Sequence, residues 1–402
     1  MKQIQELLQE RRHRGYEIAN TKKVVLDSYK WVVPSQSGNK AYEVILGLEK
    51  STCTCPDFVE RGLKCKHIFA VEITVSKQIN TDGSVTITQT KRITYKQDWP
   101  NYTKAQTEEG RLFKELLKDL VENVPEEPYT FGRPKVPLKI ALFCAIDKVY
   151  SMQSSRRARS RYKDAEEKAQ IAKAPSYNTI NITLERENIT SILSDLLHIT
   201  AMPLKSIETK FSPDSTGFRT SRFSDYCEKK HNTKKEHKWI KCHAITGNTT
   251  NIITDAVITN ENGADSPQLM PLLQNTVNIG FEPEEVSADK AYSSRENMNF
   301  IDSIGAVPYI PYRSNATRRS KGSFMWKRMF HYFQLHLEEF LEHYHNRSNV
   351  ETTFFAVKAK FGDSLKNKTF VSQTNEVLCK LIAYNITVLI NAIYELKIQP
   401  NL

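Results

Sequence analysis

From Ser206 to the C-terminus the hydrophobic pattern changes period several times, and this succession limits the fold more than any other feature of the chain. Strand-like runs end near Asp214 and recur at 238–245, 251–258, 285–289 and 306–312. They are rich in β-branched and aromatic residues, as half-buried strands require. Helical patterns occupy 266–277, 295–304, 325–360 and 377–396. Three strands in a row, then alternating helix and strand, predict an α/β domain with one mixed sheet flanked by helices. The last apolar stretch is long enough to suggest a membrane span, but it carries Lys380, Asn385, Asn391 and Glu395. It is expected to be a buried helix packed on the domain core, with no membrane partner.

Within the 325–360 pattern lies YHNRSNVETTFFAVK, which holds Tyr344, Arg347, Glu351 and Lys358. At about 100° per residue, the last three fall at roughly 300°, 340° and 320° from Tyr344, so the four share an arc of about 60°. One carboxylate between two cations and a phenol suits a metal ligand flanked by groups that grip a phosphate backbone. The plainer reading is a helix with ordinary ion pairs on a solvated face.

Two acidic residues upstream favour the first reading. Asp214 in KFSPDSTGF and Asp289 in EVSADKAYSS each stand at the expected C-terminal end of a strand. Carboxylates there project into the crevice where α/β sheets bind ligands, although a lone Asp at such a place often caps a helix or makes a turn. Three oxygen donors suit Mg²⁺ or Mn²⁺, which keep positions for water and phosphate oxygens. Two such ions can assist an in-line displacement at a phosphodiester.

The N-terminal part differs. Residues 16–75 read as a small module with short strands at 23–26, 30–33 and 42–48, broken by a turn at 35–39. Cys53, Cys55, Cys65 and His67 then form C-x-C-x9-C-x-H, four ligands suited to a closed tetrahedral Zn²⁺ site. Residues 76–104 are polar and Thr-rich, either a linker or a hairpin. Residues 105–204 read as helical, with patterns at 105–124, 138–153 and 175–198. The run SSRRARSRYK places Arg156, Arg157 and Arg159 together, either as a solvated face or as a grip on DNA.

The chain has 57 Lys and Arg against 46 Asp and Glu, a formal net charge of +11, so nucleic acid is the leading partner class. Its opening residues, MKQIQELLQERRHRGYEI, lack the apolar run of a signal peptide. A reducing, cytoplasmic location is therefore expected, with the protein associated with the nucleoid and without structural disulfides.

Residues from about 205 onward resemble the DDE transposases of prokaryotic insertion sequences, in the group with a Tyr, Arg, Glu, Lys signature. The Asp-Ser-Thr-Gly context of Asp214 and the Ala-Asp-Lys-Ala-Tyr context of Asp289 are similar to that family's surroundings. The resemblance implies a ribonuclease H-like catalytic domain over 205–402, with Asp214, Asp289 and Glu351 as the catalytic triad holding Mg²⁺ or Mn²⁺. Tyr344, Arg347 and Lys358 would contact DNA or orient the site. It further implies cleavage at element ends and strand transfer into target DNA, by a homodimer or higher oligomer on double-stranded DNA. Relatives that form hairpin ends carry a large β-rich insertion before the Glu helix; only 38 residues separate Tyr312 from Glu351 here. The Cys-His module resembles a SWIM zinc finger, a type associated with DNA or protein binding. The alternative from another class is a catalytically inactive, transposase-derived DNA-binding protein.

Overall fold

The computed structural model describes residues 2–402 except 28–29, 37–39, 47–50, 77–97, 127, 129–130, 133, 221–238, 314–315, 318 and 320. The chain divides into two units, Met1–Gln97 and Asp98–Leu402.

The first unit begins earlier than the 16–75 module expected from sequence, because helix α1 (Lys2–Thr21) packs on helix α3 (Lys66–Ser76). Gly15 permits the approach: a Cβ there would lie 2.6 Å from Phe69 Cβ. Strands β1 (Val25–Asp27), β2 (Lys30–Pro34), β3 (Ala41–Ile45) and β4 (Thr52–Cys53) form an antiparallel sheet in that order. Helix α2 (Pro56–Arg61) follows. Ile18, Val33, Val44, Ile68 and Val71 bury a small core together with Cys53, Cys55 and Cys65. Most of the 76–104 segment lies outside the described residues, and its last part opens a helix rather than a hairpin.

That helix, α4 (Trp99–Glu122), starts the second unit with α5 (Leu138–Tyr150), α6 (Ser155–Glu167), α7 (Tyr177–Leu184) and α8 (Asn188–Ala201). These share one continuous hydrophobic core with the sheet that follows, so the 105–204 region is not a separately packed domain. The sheet contains β5 (Lys210–Arg219), β6 (Trp239–Gly247), β7 (Ile253–Asn260), β8 (Glu285–Ser287) and β9 (Val307–Tyr309). Its spatial order is β7-β6-β5-β8-β9. The first three strands form an antiparallel meander, and β8 and β9 add in parallel through helix crossovers. This is the mixed, ribonuclease H-like sheet anticipated from the sequence.

Helices α9 (Leu269–Asn278), α10 (Arg295–Ser303), α11 (Phe324–Leu335), α12 (Leu337–Tyr344), α13 (Ser348–Phe361) and α14 (Phe370–Glu395) complete the unit. Helix α14 is long and apolar enough to cross a membrane, yet 83% of its most apolar stretch is buried inside the protein. Two of its buried polar residues have well-defined internal partners. Asn385 accepts from the Ile253 N–H and donates to the Ile253 carbonyl, tying α14 to the start of β7. Lys380 donates to the carbonyls of Gly362 and Ser364. Two bonded groups of this kind offset the cost of burying polarity in an otherwise apolar helix.

The continuous helix expected over 325–360 is broken twice. The backbone leaves helical geometry at His336, which redirects the chain so that Phe340, fully buried, packs against Tyr309 and Phe333. A 3-10 turn, His345–Arg347, then separates α12 from α13. Core packing of one aromatic overrides the local pattern here.

Candidate active site and zinc cluster

Asp214 does not end a strand, as the sequence suggested; it sits in the middle of β5. The antiparallel pairing with β6 carries β5 on to Arg219, past the point where its parallel neighbour stops. That register pairs Lys210 with Glu285 and Phe211 with Val286. Continued by three residues, it brings Asp214 level with Asp289. Strand β8 ends at Ser287, and Asp289 caps the following 3-10 turn, its carboxylate accepting from the Lys290 N–H at 2.6 Å. The missing stretch of parallel partner leaves an opening at the sheet's centre, at the C-terminal end of β8.

Helix α13 packs across β5 and β6. Arg347, in the turn before it, stands between two of the predicted carboxylates. Its Nη2 donates to Asp214 Oδ2 at 3.0 Å, and its Nη1 pairs with Glu351 Oε1 at 2.8 Å. The Asp214 side chain is 18% exposed and that of Glu351 58%, so the cluster opens toward solvent on the Glu351 side. Burial pushes the Asp214 carboxyl above its ordinary pKa, and the charges of Glu351 and Asp289 push the same way. The Ser215 N–H and Arg347 oppose them. Burial works against the Arg347 charge, but Asp214, Tyr344, Glu351 and Asp289 outweigh it and hold its pKa high. All three carboxylates thus act on one guanidinium. Tyr344 is raised by burial, while its contact with Arg347 pulls the other way.

Lys358 departs from the predicted cluster. Two turns beyond Glu351, it donates to Thr216 Oγ1 at 2.6 Å and lies 5.5 Å from the centre of the Phe218 ring. Asp214, Thr216 and Phe218 lie on one face of β5, so α13 runs along that face with Glu351 at one end and Lys358 at the other. Burial lowers the Lys358 pKa. Arg156 and Arg157 are exposed on α6, with Arg156 lying 5.9 Å from the Tyr177 ring centre. Arg159 is half-buried, and its Nη1 is buried without a hydrogen-bond partner among the described residues. It therefore turns inward, unlike the other two.

The donor set fits a hard divalent ion in its chemistry: oxygen atoms only, concentrated negative charge, and a displaceable guanidinium between two of the three groups. Sequence reasoning missed Tyr292, whose buried hydroxyl lacks a described partner and senses Asp214, Asp265 and Arg347. Its place in the Asp289 segment was the available signal.

In the first unit the four predicted zinc ligands converge. Cys53 lies on β4, Cys55 caps α2, Cys65 immediately precedes α3 and His67 sits in its first turn. All are buried, with ligand atoms within 4.8 Å of one another. The sulfurs of Cys53 and Cys65 each stand 3.9 Å from His67 Nδ1. Tetrahedral zinc with standard bond lengths separates sulfur from nitrogen by about 3.6 Å, so the cluster fits with little adjustment. The hydrogen bond from Cys53 holds the Cys65 thiol far below its ordinary pKa, to about 3, and raises Cys53 itself. The thiolate is the form that binds zinc, so a lowered thiol pKa favours binding. Among the described residues no other group of three or more His, Cys, Asp or Glu side chains gathers as a metal-ligand cluster.

Comparison with known families matches residues 207–386 to the family described as Transposase DDE domain and residues 42–76 to the SWIM zinc finger. No curated protein matches the chain. Among solved structures, the cryo-EM structure of a piggyBac transposase synaptic complex with hairpin DNA is similar at 10% identity and a TM-score of 0.34. That likeness covers 70% of this chain and 72% of the other, and is too slight to carry argument. The sheet order, the carboxylates around Arg347 and the Cys-His cluster lie within the two matched regions, and the chain carries a transposase DDE domain together with a SWIM zinc finger.

Proposed function

We propose that this protein is an active DNA transposase that cuts at the ends of its element and joins the freed 3′ ends to target DNA. The observation that carries the reading is the bridging of Asp214 on β5 and Glu351 on α13 by Arg347, with Asp289 in the turn that follows the neighbouring strand β8. These three residues would hold Mg²⁺ or Mn²⁺. When bound, such ions supply activation of the attacking oxygen and neutralisation of the departing 3′ oxygen. With the carboxylates holding such ions, Arg347 would be available to hold the scissile phosphate, for which its planar donor fork is suited. Tyr344 limits where that side chain can swing. Lys358 anchors α13 to β5 through Thr216 and keeps the Glu351 turn in register with Asp214.

The exposed Arg156 and Arg157 give α6 a surface for DNA phosphates, with Arg159 supporting the helix from its inner side. The zinc-bound SWIM unit contributes DNA or protein contacts, and two or more copies act on the paired element ends. The protein would act on cellular DNA in the cytoplasm, at the nucleoid. No strand lies between β9 and Glu351 among the described residues, so the β-rich insertion of hairpin-forming relatives has no counterpart there.

The deciding experiment incubates the protein and Glu351→Gln with duplex DNA carrying the element's ends and Mg²⁺. Cleavage and strand transfer should fall together by at least roughly 100-fold, because loss of one ligand charge disables both displacements. DNA binding should survive. Wild-type cleavage by the variant would refute the triad, and a wild-type protein that binds these ends without cutting them would favour the DNA-binding alternative.

A further inference from the structure

A cleft of about 300 Å³ opens beside the Asp289 segment, lined by Ser293, Arg295, Arg313, Thr317, Lys321 and Trp326. Three of these are cations, and no acidic side chain lines the cleft among the described residues. The sequence from Arg313 to Arg328 carries six Lys and Arg and no Asp or Glu, so the charge is not balanced locally. Clustered cations repel one another, and an anion between them turns that repulsion into attraction.

The cleft is also built in detail. The Arg295 guanidinium lies 4.4 Å from the Trp326 ring centre and donates to the Arg319 carbonyl at 2.9 Å, which fixes its orientation. The Trp326 indole N–H donates to the Thr317 carbonyl at 2.9 Å, and Arg313 donates to the Ala291 carbonyl at 3.4 Å. Ser293 adds a buried Oγ with no hydrogen-bond partner among the described residues. Asp289 and Ser293 flank a single 3-10 turn, which at about 2 Å per residue places them roughly 8 Å apart along its axis.

We propose that this cleft binds a backbone phosphate of the DNA strand running through the active site, next to the phosphate being cut. The proposal rests on the transposase reading for its purpose, but its chemistry is that of a phosphodiester site. Arg313 and Lys321, both exposed, supply long-range attraction. Arg295 supplies a directed donor, and the cleft sets the register of the strand relative to Asp289.

The test measures binding of a fluorescein-labelled 30-base-pair duplex by anisotropy between 50 and 200 mM KCl, without added divalent metal. Wild type is compared with Arg313→Gln/Lys321→Gln and with the charge-keeping Arg313→Lys/Lys321→Arg. Losing the one phosphate contact lowers the salt slope by about 0.9, so the wild-type advantage over the Gln pair should shrink roughly three- to fourfold across this range. The charge-keeping pair should retain most of the slope, and its melting temperature should match wild type. An unchanged slope in the Gln pair overturns the proposal. So does inorganic phosphate binding that depends on Arg313 and Lys321 while the duplex slope is unaffected, since the cleft would then serve a free anion. Binding without metal is independent of cleavage, so failure here leaves the Glu351→Gln result standing, and failure there leaves this slope measurable.

Discussion

Cys53, Cys55, Cys65 and His67 bring four ligand atoms within 4.8 Å, whereas Asp214 and Glu351 meet only through the guanidinium of Arg347, and Asp289 caps its own turn. The difference follows from charge. Thiols can share protons as they approach, so a buried Cys-His group gathers at modest cost. Carboxylates near neutral pH repel one another, and a cation has to stand among them before they can converge. One site is assembled by its local chain and the other is held ready by an arginine.

The largest effect should come from the gathered site. Cys65→Ala should abolish stoichiometric zinc, removing a binding free energy on the order of 10 kcal/mol that such small units use for folding. Metal analysis and limited proteolysis should show zinc lost and the first unit cleaved, with the second unit intact. Zinc content equal to wild type would end the comparison.

An intermediate effect separates two kinds of guanidinium–carboxylate contact. Arg161 grips Asp147 through two bonds, at 2.9 and 2.6 Å, and the Asp147 side chain is only 1% exposed. Arg161→Met leaves that carboxylate buried without its cation and should cost about 3 kcal/mol in urea unfolding. Arg347→Met should cost less, about 1–2 kcal/mol, because Glu351 is exposed and the half-buried Asp214 can take up a proton. Equal losses would mean that Arg347 is a structural pair and not a placeholder.

The smallest effect concerns Asp214 itself. Its folded pKa is raised by burial and by neighbouring carboxylates, so the stability associated with its protonated form is fully present below the unfolded pKa and lost as pH rises through the folded value. Asp214→Asn cannot ionise and escapes this loss. In magnesium-free buffer at neutral pH it should melt higher, on the order of 2 °C, with the gap closing in acid. A lower melting temperature at neutral pH would show that the Arg347 bond outweighs burial.

Much of this was legible along the chain. The Cys-x-Cys and Cys-x-His pairs are local signals, and the Glu351 signature declared itself by spacing within one helical stretch. The strands were placed to within a few residues. Other features were not legible. Nothing near Asp214 shows that β5 continues past it, because that depends on pairing with β6, whose first residue is 20 positions beyond the end of β5. The kink at His336 depends on where Phe340 can be buried. Lys358 fits the spacing of the signature, yet its partner Thr216 is supplied by a strand 142 residues away. The inward turn of Arg159 was equally invisible in a run of similar cations.

The sequence by itself determined which residue types are available, their helical or strand period, and the short-range zinc pattern, because these depend on contacts within a few residues. Only the tertiary structure decided that β5 carries Asp214 past the end of β8, where the Asp289 turn begins, that Arg347 bridges Asp214 to Glu351, and that residues of the basic stretch after Tyr312 line a cleft with Ser293. Each of these joins residues far apart in the chain, and their meeting is set by sheet register and core packing, which no local pattern encodes.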